Sequence, residues 1–578
     1  MPGYEASMTH KSYSWSQRPF TELSSRHALR LLKPAFVKTL IHEFDVAPLQ
    51  SRMYPVCFAD GSVGIFVLEA FRNEDQTLAL FELLEAKSRR LATPGLYVLP
   101  PALFLAVAQG DGLSPRAVNE PGAREVLSGA LSAVMREVIE WAAAKQASDI
   151  HLNVQRHLGE SSIWFTIAGR YVCPERYAHL PTATMLDMLA VTWMEVQGGN
   201  GAVFDPSVEQ EGRFVRVCHG RRYVIRWASL ATDVGPSVCL RLLPLDSDVS
   251  APTFAELGYL PSHIEALETA RLSQGGAIIL AGTVGSGKST TIASLLRTIP
   301  SYRKVITLED PAEYAIPNAL QNTVARSVHD DGLTAFDRKL KAIKRSAMTD
   351  LLIGEIRDQA AGRAFVDLAA TGVSLYTTVH AGSALLIPER LCSSFIGIPR
   401  DFLTAPGVLK LLVYQVLLRE VCPHCAFNFE QFLSSSALFC ARNITRSIPW
   451  WRSWASGIER RFGITSTMLR FCNAVGCDSC QSDIPMSAGT KGRTVVAEML
   501  SIAQDAEIFP LLGQGDQGAV HRWLLARTKT PCTDIQMQGK SALECALYKM
   551  SVGQIDPREI ETYFGVFQTQ FNDRKSGA

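Results

Sequence analysis

AIILAGTVGSGKSTTIASLL, residues 277–296, is the stretch on which the reading of this chain turns. Ala277–Leu280 is an apolar run of strand character. Downstream, Ile292, Leu295, Leu296 and Ile299 recur at i, i+3, i+4 and i+7, which is one face of a helix. Between them, Gly282-Thr-Val-Gly-Ser-Gly287-Lys288-Ser289 satisfies the phosphate-binding loop pattern in the strand–loop–helix context that pattern needs. Gly282, Gly285 and Gly287 let backbone N–H groups turn inward around phosphate oxygens at the helix N-terminus, with Ser286 and Thr290 in the same binding segment. Lys288 is expected to bridge the β- and γ-phosphates of ATP, and the Ser289 hydroxyl to ligate Mg2+.

A nucleotide site of this kind needs acids at the ends of neighbouring strands. VITLEDPAEY (305–314) is a β-rich run that ends in Glu309-Asp310 before a proline, and LLIGEIRD (351–358) is an apolar strand that ends in Gly354-Glu355. Ligands of open α/β sheets bind at the carboxyl edge of the strands, so both acids are expected beside the loop. One can orient Mg2+ through water and the other can polarise an attacking water. Either alone reads equally as a helix cap or a surface carboxylate. SLYTTVHAG (374–382) carries His380 to the same edge, as a γ-phosphate contact or a hydrogen-bonded structural histidine.

Working outward, 578 residues predict three or four domains of roughly 100–200 residues. Hydrophobic residues at 47% and charged residues at 20% predict a packed globular chain. The 57 basic and 56 acidic residues leave +1, so no global field draws in nucleic acid or an anionic membrane, and direct nucleic-acid binding is not expected. No run of about 18 apolar residues is present to span a bilayer. The N-terminal text MPGYEASMTHKSYSWSQRPF lacks a basic start and apolar run, so it does not read as a secretory signal. Thirteen cysteines, an odd number, predict reduced thiols in the cytoplasm.

Residues 1–35 are polar and read as a flexible arm. Residues 36–115 alternate as a small α/β module, with strands at 63–71 and 96–100 and helices at 74–91 and 101–109. A linker follows at 111–124. Residues 125–245 read as an α+β domain with a mainly antiparallel sheet, and 255–415 as a mostly parallel sheet with crossover helices. Residues 416–500 are Cys-rich and irregular, with Trp450, Trp451 and Trp454 in an insert, and 501–578 are helical. Cys422-Pro-His-Cys425 and Cys477-Asp-Ser-Cys480 fit tetrahedral thiolate coordination of Zn2+, while C-x2-C pairs also occur as redox motifs. Cys440 and Cys472 are rival ligands, and His424 reads as packing.

These pieces together resemble the secretion-superfamily hexameric ATPases: the motors of type II secretion, type IV pilus assembly and type IV, including conjugative, transfer. ASDIHL (147–152), TVGSGKST, TLEDPAEY, LLIGEIRD, TTVHA, the two cysteine pairs and GRTVVAEML (492–500) follow in that family's order over about 130–565. The resemblance implies an α/β fold: a RecA-like core at 255–415 and a preceding PAS-like regulatory domain at 125–245. It also implies a structural tetracysteine zinc subdomain at 416–500. Glu355 is then the catalytic base, Glu309 shares water activation and metal positioning, and His380 senses the γ-phosphate. Arg226 and Arg241 are the arginines the regulatory domain supplies to the nucleotide, each otherwise a solvated strand-face residue.

What the resemblance implies as a whole is a cytoplasmic Mg-ATPase, a homo-hexameric ring at the bacterial inner membrane bound to a platform protein of a pilus or secretion machine. A retraction or DNA-transfer motor, or a nucleotide-binding scaffold without turnover, is the alternative. By position, residues 36–115 are a docking module or a plain structural one. The family's Gln-Arg-Leu reads here Gln415-Val416-Leu417, so a role for that arginine is absent or moved. Met348-Thr349 replaces its Pro-Asp, which leaves Asp350 displaced and without an assigned metal role.

Overall fold

The structure, a computed structural model, describes residues 19–567 apart from 24–25, 42, 45–51, 101–102, 105–106, 108–122, 246–251, 311, 325–331, 436–444, 481–483, 485–486, 503–504, 506, 528 and 566. Two compact units divide at Leu243/Pro244.

The first unit holds two sheets. One comprises β1 (Phe20–Glu22), β2 (Phe36–Thr39), β3 (Met53–Phe58), β4 (Val63–Leu68) and β5 (Leu91–Leu99) in the order β1-β5-β4-β3-β2. β4 is buried along its whole length, as its unbroken apolar text requires of a central strand. The helix Asp75–Ala86 buries Thr77, Leu80, Phe81 and Leu84, one helical face. That helix was expected to reach Leu91. It stops at Ala86 because Leu91–Leu99 forms β5, which pairs in parallel with both β4 and β1. Within the expected arm of residues 1–35, Phe20–Glu22 pairs with Leu96–Val98, while residues 1–18 lie outside the described residues. The linker at 111–124 lies almost wholly outside the described residues, as does most of the expected helix at 101–109.

The other sheet bears out the antiparallel α+β reading. β6 (Asp149–Asn153), β7 (Glu160–Ile167), β8 (Arg170–Val172), β10 (Glu211–Cys218), β11 (Arg221–Leu230) and β12 (Ser237–Pro244) run in the order β10-β11-β12-β6-β7-β8, and β9 (Leu180–Pro181) pairs with β7. The hairpin between β10 and β11 closes on His219-Gly220, both at positive φ (49° and 76°), as a two-residue turn between twisted strands requires. Helices Ala123–Ala144 and Thr182–Trp193 carry the apolar side chains of this layer; the second was not anticipated in the sequence.

Within this unit Arg176 donates to Glu69 (2.9 Å) and to the buried Glu137 (2.7 Å), tying the turn after β4 to the helix Ala123–Ala144. Burial raises the Glu137 carboxyl from 4.5 to about 8, against the opposing pull of Arg176. The folded chain therefore holds this proton more tightly than the unfolded one, and stability drains away as pH rises between those values. We expect Glu137→Gln to flatten the fall in melting temperature from about pH 5 to about pH 8; parallel profiles for variant and parent would refute it.

The second unit is built on β13 (Ala277–Ala281), β14 (Val305–Glu309), β15 (Ala319–Thr323), β16 (Asp350–Ile353), β17 (Ser374–Val379), β18 (Leu409–Val421) and β19 (Thr490–Ser501), in the order β15-β14-β16-β17-β13-β18-β19. The strand pairs from β15 to β18 are parallel, which bears out the predicted α/β core. β13 feeds two layers. Ile279 and Ala281 pack with Phe365 and Leu368 of the helix Gln359–Ala369, while Ile278 and Leu280 pack with Ile292, Leu295 and Leu296 of the helix Lys288–Arg297.

The expected boundary between core and cysteine region at 415/416 falls inside β18. That strand continues to Val421, and β19 returns antiparallel to it, so both belong to the core sheet and the cysteine region hangs from their far ends. The irregular text of that region contains the helix Ile448–Phe462. Its Trp451 and Trp454 are buried against Phe432 and Phe471, whose rings stack at 4.0 Å. Among the described residues no helix is long and apolar enough to cross a membrane.

Candidate functional site

β13 delivers the chain to Gly282 at the carboxyl edge of the sheet. Gly282 has φ +154°, and a β-carbon there would lie 2.4 Å from the Gln415 carbonyl and 2.5 Å from Ser286 Oγ, so no side chain fits. Gly285 (φ 75°) and Gly287 (φ 85°) adopt left-handed backbone, and Gly287 caps the helix Lys288–Arg297. Lys288 Nζ donates to the carbonyls of Gly282 (2.9 Å) and Thr283 (3.0 Å). Burial lowers its pKa, opposed by the nearby acids Glu355 and Glu313. Ser286 is buried and its Oγ has no hydrogen-bond partner. Thr290 Oγ1 meets the Tyr314 hydroxyl at 2.9 Å, and Ser289 is half-buried in the first helical turn. A glycine-rich loop with an orphaned hydroxyl, an inward lysine and a helix N-terminus is a cradle whose chemistry fits a phosphate group.

The parallel strands carry the predicted acids to this edge. β14 ends on Glu309, β16 leads into Gly354-Glu355, and β17 into His380. The parallel pairing of β14 with β16 sets Leu308 opposite Ile353, so the two acid-bearing strand ends lie side by side. His380 Nε2 lies 3.2 Å from Glu355 Oε1, and its Nδ1 3.2 Å from the Gly282 carbonyl. Both partners are acceptors, so the ring N–H on either side has one to donate to. Glu309 takes a hydrogen bond from Gln321 Nε2 (3.1 Å), and burial raises its pKa. The arrangement can bind a phosphate group at the loop with the Glu355 carboxylate and His380 beside it, a constellation suited to phosphoanhydride hydrolysis.

Arg226 is half-buried on β11, opposite Arg213. Arg241 Nε donates to Asp149 at 2.8 Å across the β12–β6 pair. Asp350, which carried no assigned role, begins β16 at the opposite edge. It is fully buried, bonded by Arg303 through Nε (2.8 Å) and Nη2 and by Tyr376 (2.9 Å), a structural anchor. Sequence reasoning missed Glu313 and Tyr314, which lie in the acidic run already singled out, and Gln415. The signal for Gln415 was an amide inside the apolar run Leu411–Leu418.

In the cysteine region, the Sγ atoms of Cys422, Cys425, Cys477 and Cys480 all lie within 4.8 Å of one another. The Cys477 N–H points at Cys480 Sγ (3.2 Å). Four thiols in this geometry are compatible with tetrahedral Zn2+, with all four positions supplied by cysteine. Cys472 is not in this group and instead faces the carbonyls of Ala488 and Gly489; Cys440 lies outside the described residues. His424 is exposed.

Comparison with known proteins decides the family: the description "Type II/IV secretion system protein" matches residues 125–524. The chain belongs to that family. Among relatives, the type IV pilus assembly ATPase PilB of Thermus thermophilus is 28% identical over 66% of this chain and 38% of its own length. Type II secretion system protein E of Klebsiella pneumoniae is 30% identical over 51% and 55%, respectively. The chain thus matches only 38% and 55% of these two relatives' lengths. Among solved structures, the Legionella pneumophila ATPase DotB is 20% identical, with a TM-score of 0.45, over 75% of this chain and 96% of that one. The pilus retraction motor PilT with bound ADP is 18% identical, with a TM-score of 0.43, over 73% and 95%.

Proposed function

We propose that this family member is an ATPase motor that powers type IV pilus assembly, or type II or type IV secretion, from the cytoplasmic side of the bacterial inner membrane. The observation that carries this reading is that Lys288 and His380 both bond the Gly282 carbonyl of the loop, with Glu355 against His380. Lys288 and the loop amides bind and neutralise the phosphates of ATP. Ser289 would hold Mg2+, which would supply charge neutralisation to the phosphates. Glu355 accepts the proton of the attacking water, Glu309 orients that water and the metal's hydration, and His380 reports the γ-phosphate to Gly282 and Glu355. Arg241 joins the site by exchanging Asp149 for a phosphate, and Arg226 from the neighbouring strand, as the 125–245 domain closes.

The four cysteines, read as structural zinc, favour assembly or secretion over retraction. A homo-hexameric ring, an inner-membrane platform protein as partner, and docking by residues 36–115 complete the proposal. In cells carrying Glu355→Gln in place of the native residue, we expect loss of surface pili or of secretion by electron microscopy and export assays. Excess pili would instead make it a retraction motor, and lost DNA transfer alone a conjugative one. An unchanged phenotype in all three would count against a motor role.

A further inference from the structure

Gln415 lies within β18, fully buried. A buried carboxamide is costly unless its donors and acceptor are matched, and its partners come from two distant segments. Nε2 donates to the Ser286 carbonyl at 2.8 Å, and Oε1 accepts from the Tyr259 hydroxyl at 2.5 Å. The amide's orientation follows from chemistry, because the Ser286 carbonyl only accepts. Tyr259 also meets Thr291 Oγ1 at 3.2 Å, in the first turn of the helix that follows the loop. The backbone carbonyl of Gln415 closes over Gly282, and Nε2 lies 3.3 Å from the β-carbon position of Gly287. One residue therefore touches the loop at its first glycine, its serine and its last glycine.

We propose that Tyr259 and Gln415 form a positioning clamp that preorganises the phosphate loop. In a trans peptide the C=O and the following N–H point in opposite directions. Pinning the Ser286 carbonyl toward β18 therefore aims the Gly287 N–H away from β18, into the cradle. Lys288 and His380 both bond the Gly282 carbonyl, so the glycine the clamp closes over is also the one that seats these two groups. The inference rests on the ATPase reading above, because it assigns the loop's geometry to nucleotide binding.

The test uses the full chain with two conservative variants. Gln415→Met keeps the volume and removes both bonds; Tyr259→Phe removes one hydroxyl. For Gln415→Met we expect Mg-ATP to bind about tenfold more weakly by calorimetry, with KM raised in proportion and kcat within about twofold, since a loop that grips ground and transition states alike acts through KM. Tyr259→Phe should weaken binding about threefold, and the double variant should match Gln415→Met alone, because the two act through one chain of contacts. Hydrogen exchange at 283–288 in nucleotide-free protein should speed up in Gln415→Met. Parent-like affinity and exchange in that variant would overturn the clamp, and additive losses in the double variant would remove Tyr259 from it. A parent chain that binds no Mg-ATP overturns the ATPase reading instead, and the exchange rates then judge the clamp alone. If Gln415→Met does not fold, Tyr259→Phe carries the same readouts.

Discussion

Glu355→Gln is expected to keep Mg-ATP binding and to lower steady-state turnover at least about 100-fold, equivalent to about 2.7 kcal/mol of transition-state stabilisation. The amide preserves the shape of the strand end and can still face His380 Nε2, which lies 3.2 Å away in the parent. What it loses is the capacity to take a proton from water. Lys288→Ala should behave differently: it empties the cradle of the cation that meets the Gly282 and Thr283 carbonyls, so both binding and hydrolysis disappear. The pair separates roles by comparing Kd with kcat. Near-normal turnover in Glu355→Gln would move the base elsewhere, with Glu309 the next candidate because burial already raises its pKa.

Removing the metal is expected to have the largest effect on structure. Metal analysis of the intact chain should give about one zinc per chain, and Cys422→Ser or Cys477→Ser should lose it. Structural zinc binding to small domains is worth roughly 10–16 kcal/mol of apparent free energy, so a lobe closed by four thiols depends heavily on it. The consequence reaches beyond the lobe. The Val421 N–H donates to the Gln554 carbonyl (2.9 Å), the Cys472 N–H to Asp556 (2.8 Å), and Arg419 pairs with Glu559 (2.7 Å). Arg558 also lies over the rings of Phe432 and Phe471. The helix Pro557–Phe564 and the residues before it are therefore stitched both to the far end of β18 and to the cysteine region. Limited proteolysis of the Cys422→Ser chain should cut both at 472–480 and around 554–564, while the β13–β17 core stays protected. A zinc-free preparation with parental melting and cleavage pattern would refute the metal assignment.

Much of the site was legible because its requirements are local. A phosphate loop needs glycine at particular turns and a lysine at the helix start, and each appears in consecutive text. Glu309, Glu355 and His380 were legible for a related reason: parallel strands all end at one edge, so naming the strands names the edge. Gln415 was noticed only as a departure next to Val416, because nothing in its neighbourhood mentions Ser286, 129 residues away. The cysteine region misled for the same cause. Its text looks like a separate subdomain from 416 onward, yet the pairing of Leu411–Val421 with Thr490–Ser501 brings its flanks into the core sheet. Strand pairing across such a gap is chosen by the edge that β13 offers to β18, and that is a property of the assembled sheet.

By itself, then, the sequence determined the phosphate loop, the acid-bearing strands and the two cysteine pairs. These depend on backbone torsions, apolar periodicity and side-chain chemistry that each segment carries with it. Only the tertiary structure decided that β18 and β19 complete the core, that Asp350 is an anchor for Arg303 at the far edge, that Cys472 stands apart from the four thiols, and that Tyr259 and Gln415 hold the loop. Each of those outcomes is a match between polar groups or strand edges distant in the chain, and burial leaves such groups stable only where the fold brings their partners to them.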